Sequence, residues 1–544
     1  MKQRQKSANG DPMVADSFSL PENTTHKALY FLLIAVLLAF GIGLRGSFHF
    51  DDYSLFSDPA VTYPSGWWAV WLPLRTRPLT YLTFWLNYQL GGLNAAGYHA
   101  VNIVLHLCAV WLLYGLLCRL IGQKAAFIAT VIFALHPIQS EAVLYVFERA
   151  TLLATVLCFL CWRSWLDRRY WIAIVWFAFA LLSKEECVTF PLFLLMFHRA
   201  FWPIATMLGL SLAAGIRVII FHAALHVQTV GVATASTGAA AAPYSASLSA
   251  VIFGYFRLSL LPYLCTQGRV VLRYFRLLLL PYGFTVDPDV RAVLDWQGWL
   301  AWAAILITAT LFWRLYRHGK WFAAGLVLLL PSSSIFPAAD LAADRRMYLA
   351  VVALAAMAGL ALRNIKGLKI VIPLAFLLSA LSFARSRVWL TEHSLWSEAV
   401  ERAPNKVRPL LQLSRASDAE TALLLLDRAQ SLAPGDSRPA EEKGLRLLAI
   451  NRPDQALVEF EYALRLLPND PELLNNRGVA LSFLGSQSAA ADQFRHALAI
   501  NPCLAIARRN LERLGIAYPV SCQGGRAALQ QPAAVTLPNR LNDP

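Results

Sequence analysis

The chain has 544 residues, 57% of them hydrophobic and only 15% charged, where a soluble protein would carry about 25% charged residues. Its net charge of +15 lies in short turns between apolar runs, with no Lys/Arg-rich stretch interleaved with aromatics, so composition argues against a nucleic-acid partner. What remains is a polytopic membrane protein with a soluble C-terminal part.

Residues 1–27 form a polar, basic tail, expected to be cytoplasmic, and the first apolar run reads as an uncleaved span. Candidate spans are 28–44, 97–121, 124–138, 141–165, 168–184, 186–200, 203–225, 296–316, 320–337, 345–362 and 368–386. The basic turns Arg119–Lys124, Arg163–Arg169, His198–Phe201, Arg314–Lys320 and Arg363–Lys369 fall on one side if these spans alternate, and that side is cytoplasmic. The opposite face receives a large first loop, 45–96, together with 226–295, 338–344 and everything after about 387. Tyr255–Tyr263 is echoed by Tyr274–Tyr282, each apolar run being stopped by proline. This predicts two helices lying in the outer leaflet rather than two crossings. Cys158 and Cys161 sit mid-helix, where packing explains them. Cys503 and Cys522 would form a disulfide if the tail is extracytoplasmic.

Pro434, Pro468 and Pro502 are spaced by 34 residues, each closing a similar segment. Asn475, Gly478, Leu481, Gly485, Ala491, Phe494 and Ala497 follow the tetratricopeptide pattern, in which small residues let helices cross closely and Phe494 fills the gap. The expected fold is therefore all-α: a polytopic helical bundle of about 11 spans over 28–390, a tetratricopeptide α-solenoid over 391–515, and a C-terminal tail, 516–544. Such a solenoid binds extended polypeptide or packs on another protein.

Asp51 and Asp52 follow the first span directly. A carboxylate pair at the outer mouth of a bundle can supply a general base, one member accepting a proton while its neighbour orients it; taken alone, the pair reads better as a solvated helix end. An ionised group at the bilayer centre costs roughly 2.5–3.5 kcal/mol or more. His136, Glu141, Glu148, Arg149, Lys184, Glu185, Glu186, Asp344, Arg345 and Arg346 instead gather near predicted outer ends, on the side of Asp51. That clustering predicts a shared polar cavity. His99, Asn102 and His106 share one helix face by their i, i+3, i+7 spacing, as interhelical hydrogen-bonding groups do. An anionic phosphate bound there would find Arg149, Lys184, Arg345 and Arg346, with Arg75, Arg77 and Arg276 from the outer loops.

With these residues in view, the chain resembles the transmembrane and tetratricopeptide-repeat O-mannosyltransferase-like proteins of the GT-C glycosyltransferase class. The matching segments are Phe48–Asp52, Arg77–Asn87, Tyr98–His106, Leu135–Val143, Arg149–Leu153, Leu181–Glu185, Tyr263–Gln267, Tyr274–Asp287 and Asp344–Leu349, in order and followed by the repeats. The resemblance implies an inverting glycosyltransferase that moves a sugar from a polyprenyl-phosphate-linked donor to a protein hydroxyl. Asp51 or Asp52 would be the base, and Arg149, Lys184, Arg276, Arg345 and Arg346 would hold the donor phosphate. Arg77, His99, Asn102, His136, Glu141, Glu185, Gln267 and Tyr348 would line the cavity. Membrane lipids and a protein or peptide acceptor held by the repeats are the implied partners. No motif requires a cofactor; a divalent cation would have His49, Asp51, Asp52, His136 and Glu141 as candidate ligands. Glu148, where the family commonly has glycine, Glu186, and the small number of repeats depart from the pattern. The competing readings are a non-enzymatic membrane scaffold whose repeats dock envelope proteins, and a flippase, which would need polar residues through the whole bilayer depth. The expected location is a bacterial inner membrane, with site and repeats on the periplasmic side.

Overall fold

The computed structural model describes residues 22–71, 76–237, 248–333, 340–364 and 370–518. The N-terminal tail up to residue 21, Arg75 and the C-terminal tail from residue 519 lie outside them. The described residues are α-helical with short 3-10 turns and no strand, so the all-α expectation holds. Among the described residues six helices are long and apolar enough to cross a membrane: Lys27–Arg45, Ala95–Ile121, Phe201–Val218, Trp296–Leu315, Asp344–Leu362 and Val371–Val388. Gln123–Leu135 and Pro137–Leu144, bent by 49°, make a seventh if taken as one span. Phe31, Trp171, Trp202, Leu306 and Phe376 are exposed on the exterior, which is the surface of an integral membrane protein.

The remaining candidate spans fold as shorter pieces. Tyr170–Ser183 has 14 residues and reaches about 21 Å, short of a hydrocarbon core of about 30 Å. Phe190–Phe197 and Lys320–Leu329 are shorter still. The stretch expected to span 141–165 breaks into Ser140–Leu144, a 3-10 turn Val146–Glu148 and the helix Arg149–Leu166. The breaks coincide with the charged residues, whose side chains turn inward. Irregular backbone at membrane depth is tolerated where it is buried in protein or lines a cavity.

The two helices expected over 248–283 are instead one, Leu248–Leu279, with Pro262 inside it; it stops just before Pro281. One helix runs to Thr237 and the next begins at Leu248.

One large apolar core unites the first helix with Ala95–Ile121, Gln123–Leu135, Arg149–Leu166, Tyr170–Ser183 and Met347–Leu362. Trp162, Trp165, Cys158 and Cys161 are buried in it. Gly359 lets two helices meet, since a Cβ there would fall 2.3 Å from the Ala125 carbonyl oxygen.

From Glu392 the chain continues as short helices packed each on the next: Glu392–Arg402, Val407–Arg415, Ala419–Leu432, Arg438–Ala449, Pro453–Leu466, Pro471–Phe483, Gln487–Ile500 and Ala505–Arg513. Gly478 lies under the Phe494 ring, and Gly444 lies under Phe460 one repeat earlier. In both places a Cβ would collide with the ring, which explains the small residue. Cys503 is disulfide-bonded; Cys522, its expected partner, falls outside the described residues. Ion pairs fasten these helices to the bundle. Lys406 Nζ lies 2.6 Å from Asp287, Arg408 lies 2.7 Å from Asp340, and Arg385 pairs with Glu398.

Candidate active site

The first span ends in a 3-10 turn, Gly41–Arg45, and the chain turns sharply at Phe50, whose φ of 44° is left-handed. Such a conformation in a bulky residue costs about 1–3 kcal/mol and persists only where its surroundings impose it. Here the Phe50 ring packs edge-on against Trp396 at 4.6 Å and Tyr145 at 5.4 Å.

The turn separates the two aspartates. Asp52 opens the helix Asp52–Phe56 and is wholly buried. Its Oδ2 accepts the His49 N–H at 2.9 Å and its Oδ1 the Phe147 N–H at 2.8 Å. Burial pushes its carboxyl up to about 7, against the pull of those amides and of His49. Asp51 is exposed. Its backbone N–H donates to the Tyr145 hydroxyl at 3.2 Å, and that hydroxyl donates to Asp51 Oδ2 at 3.0 Å. One aspartate thus ties the loop to the Val146–Glu148 turn, and the other presents an oriented carboxylate to solvent.

The cations split into two groups. Lys184 Nζ lies 2.8 Å from Glu148 Oε2, 2.6 Å from Thr151 Oγ1 and 3.2 Å from Glu186 Oε2. Arg345 reaches Glu141 at 2.5 Å, Glu148 at 2.9 Å and Asp340 at 2.8 Å. Arg346 donates to the Leu341 and Asp340 carbonyls. Burial would push the Asp340 carboxyl up, but Arg345 and Arg408 outweigh it and hold it at about 2. Lys184, Arg345 and Arg346 line one narrow cleft of about 20 Å³ with Thr151, Glu186 and Ser332, room for a water molecule and little more. Arg77 is clamped bidentately by Glu185 at 2.9 and 2.5 Å.

Arg149 is elsewhere. Its guanidinium donates to Asn102 Oδ1, the Thr83 carbonyl, Asn87 Oδ1 and the Tyr98 carbonyl, and lies 4.4 Å from the Phe84 ring centroid. Every contact is neutral, and its donors knit three helices together rather than facing the cleft. Arg276 is exposed beside Gly283. His136 Nδ1 accepts the Ile138 N–H and its Nε2 meets the Leu278 carbonyl. Asn102 bridges Arg149 and the Tyr145 carbonyl, and Gln267 donates to the Leu341 carbonyl. His106 Nε2 faces the Ala134 carbonyl, so its Nδ1 accepts the Tyr348 hydroxyl at 2.6 Å, an interhelical bond within the core. The buried His99 ring lies against the Gly46–Ser47 backbone and makes no side-chain hydrogen bond among the described residues. Among the described residues no group of three or more His, Cys, Asp or Glu is placed to hold a metal ion.

Four of the five residues from Tyr145 to Arg149 join these parts. Tyr145 orients Asp51, the Phe147 amide holds Asp52, Glu148 bridges Lys184 and Arg345, and Arg149 locks the helices behind. Tyr145 was not among the residues that the sequence pointed to, whereas Glu148 was visible both as one of the charges gathered near the predicted outer ends and as a departure from the family pattern.

No family model matches this chain. It is 37% identical over 121 residues to Protein O-mannosyl-transferase Tmtc1 of Drosophila melanogaster, 21% of this chain and 14% of the fly protein. It is 33% identical over 190 residues to Protein O-mannosyl-transferase TMTC3 of Mus musculus, 29% of this chain and 20% of the mouse protein. Human TMTC3 is 31% identical over 198 residues, 31% of this chain and 21% of the human protein. The chain thus spans less than a third of the length of these relatives. All are animal proteins, so the expectation of a bacterial inner membrane gains no support from them. In sequence the chain is similar to the transmembrane and tetratricopeptide-repeat O-mannosyltransferases, the family that its motifs resemble.

Proposed function

We propose that this chain is an inverting protein O-glycosyltransferase that takes its sugar from a polyprenyl-phosphate-linked donor at the extracytoplasmic face. The observation that carries the reading is the division of labour between the aspartates: Asp51 alone faces solvent, its carboxylate oriented by Tyr145. The names of the relatives support a protein acceptor and mannose as the sugar. Asp51 removes the proton from a serine or threonine hydroxyl as that oxygen attacks the anomeric carbon. The bond from that carbon to the lipid phosphate breaks on the opposite face, and the proton stays on Asp51. Lys184, Arg345 and Arg346 stabilise the charge that develops on the departing phosphate. The helices after Glu392 recruit the acceptor polypeptide.

The scaffold reading draws on one observation, that Lys184 and Arg345 already carry carboxylate partners. Purified chain in detergent, given polyprenyl-phosphate mannose and a serine/threonine-rich peptide, separates the two. Wild type adds a hexose mass to the peptide and Asp51→Asn, though folded, does not. No transfer by wild type overturns the enzyme reading in favour of the scaffold, whereas transfer by Asp51→Asn at the wild-type rate keeps the enzyme and removes Asp51 as its base.

A further inference from the structure

The aspartate loop is fastened to residues some 340 positions further along the chain. His49 is wholly buried, with Nδ1 3.1 Å from Glu392 Oε1 and Nε2 2.9 Å from the Trp389 carbonyl oxygen. Both ring nitrogens are engaged, so the ring has a single orientation and no free nitrogen to serve as a base. The other Glu392 oxygen accepts the Trp396 Nε1–H at 2.7 Å, which locks the carboxylate in turn. The Trp396 ring packs on Phe50, the left-handed residue directly before Asp51. Ser47 donates its backbone N–H to the Leu390 carbonyl at 3.1 Å. From the His49 backbone the hold passes to Asp52.

We propose that Glu392 is a positioning residue for the transfer reaction: acting through His49 and Trp396, it sets the turn that presents Asp51. The inference rests on Asp51 being the base. The helix Glu392–Arg402 then belongs to the reaction centre and does more than recruit the acceptor. A loop with a strained residue at its apex keeps that geometry only if its neighbours enforce it, and a misplacement of about 1 Å can cost a hundredfold in rate.

The test is steady-state kinetics on full-length protein in detergent with polyprenyl-phosphate mannose and a serine/threonine-rich peptide. Glu392→Ala is expected to lower kcat by about ten- to a hundredfold with the peptide KM unchanged. Glu392→Asp keeps a carboxylate and recovers part of the rate. Arg385→Met breaks the Arg385–Glu398 pair at the same joint without touching the loop, and should keep kcat. A raised peptide KM with kcat retained in Glu392→Ala would make the helix a recruiting element only and overturn the proposal. Equal losses in Glu392→Ala and Arg385→Met would overturn it too, as general loosening of the joint. If Glu392→Ala does not fold, Trp396→Phe decides, since it removes the Nε1–H that Glu392 accepts while keeping an aromatic ring beside Phe50: a kcat a few-fold down supports the proposal, and an unchanged kcat refutes it. Full activity in Asp51→Asn would instead remove the base assignment itself, a result distinct from any of these.

Discussion

In the loop after the first span a carboxylate faces solvent with a single tyrosine hydroxyl on it, whereas beyond the Tyr145–Arg149 segment Lys184 and Arg345 are each ringed by carboxylates. The contrast follows from what each side would have to do. A base needs a lone pair free to take a proton, so it must be oriented without being consumed. Buried cations are costly to desolvate and persist in the charged form only with partners. Carboxylates at 2.5–3.2 Å keep Lys184 and Arg345 charged and fixed, at the cost of occupying the seats that a phosphate would need. The lipid phosphate would therefore enter by exchange for a carboxylate, not by filling an empty site.

The largest effect expected is at the free carboxylate. Asp51→Asn should slow transfer by about 10²–10⁴-fold, the usual worth of a general base, with an unchanged thermal midpoint; a midpoint that falls with the rate would assign Asp51 a structural role and erase the contrast. Arg149→Lys comes next, and on stability. Lysine has three donors where four acceptors wait, so at least one buried oxygen goes unmatched at about 1–3 kcal/mol, and the planar fit on Phe84 is lost as well. Its thermal midpoint should fall while the donor KM of the folded fraction holds. A donor KM raised without loss of stability would return Arg149 to the phosphate side.

Asp52→Asn is smaller, because one amide oxygen can replace only one of its two acceptor roles; about 1–3 kcal/mol of stability should go. Its pH dependence has a definite sign. The folded-state pKa, about 7, lies above that of an unfolded aspartate, about 3.9. Between those values the native state holds the extra proton, so the Asp52 contribution is full at acidic pH and declines as pH rises toward 7, by at most about 1.4 kcal/mol per unit. The deficit of Asp52→Asn should be widest at about pH 4 and below and narrow toward 7. Denaturation curves across that range check it, and a deficit that widens with pH would mean that the buried carboxyl is ionised throughout.

Much of this was legible in the sequence, and the exceptions have physical causes. Charges inside apolar runs must be gathered and paired, so Lys184, Arg345, Arg346 and Glu141 could be placed together without coordinates; the three cations share the cleft, and Glu141 pairs with Arg345. Which aspartate faces out was not legible, because it depends on a positive φ at Phe50, and phenylalanine carries no sign of that conformation. Arg149 reads like its neighbours by position, yet its partners Asn87 and Asn102 are neutral and lie on other helices. The tie from His49 to Glu392 crosses 343 residues with no periodicity to betray it. The broken span around Tyr145–Arg149 was masked by its hydrophobicity, although Glu148 was the sign that this segment turns inward.

Glu186 gives the smallest effect and the sharpest test of the cation side. It lines the cleft, stands 3.2 Å from Lys184 and is a third exposed, whereas Glu148 and Glu141 are nearly buried. It is therefore the carboxylate that an incoming phosphate displaces most easily. Glu186→Gln leaves Lys184 held by Glu148 and Thr151 and removes a competing charge. A partly exposed pair is worth about 0.2–1 kcal/mol, so the KM for polyprenyl-phosphate mannose should fall by up to about fivefold. A damaged fold cannot produce that gain, which frees the result from the ambiguity of every loss-of-function variant. An unchanged KM would place the phosphate away from Lys184, and a raised one would make Glu186 part of the donor's own binding site.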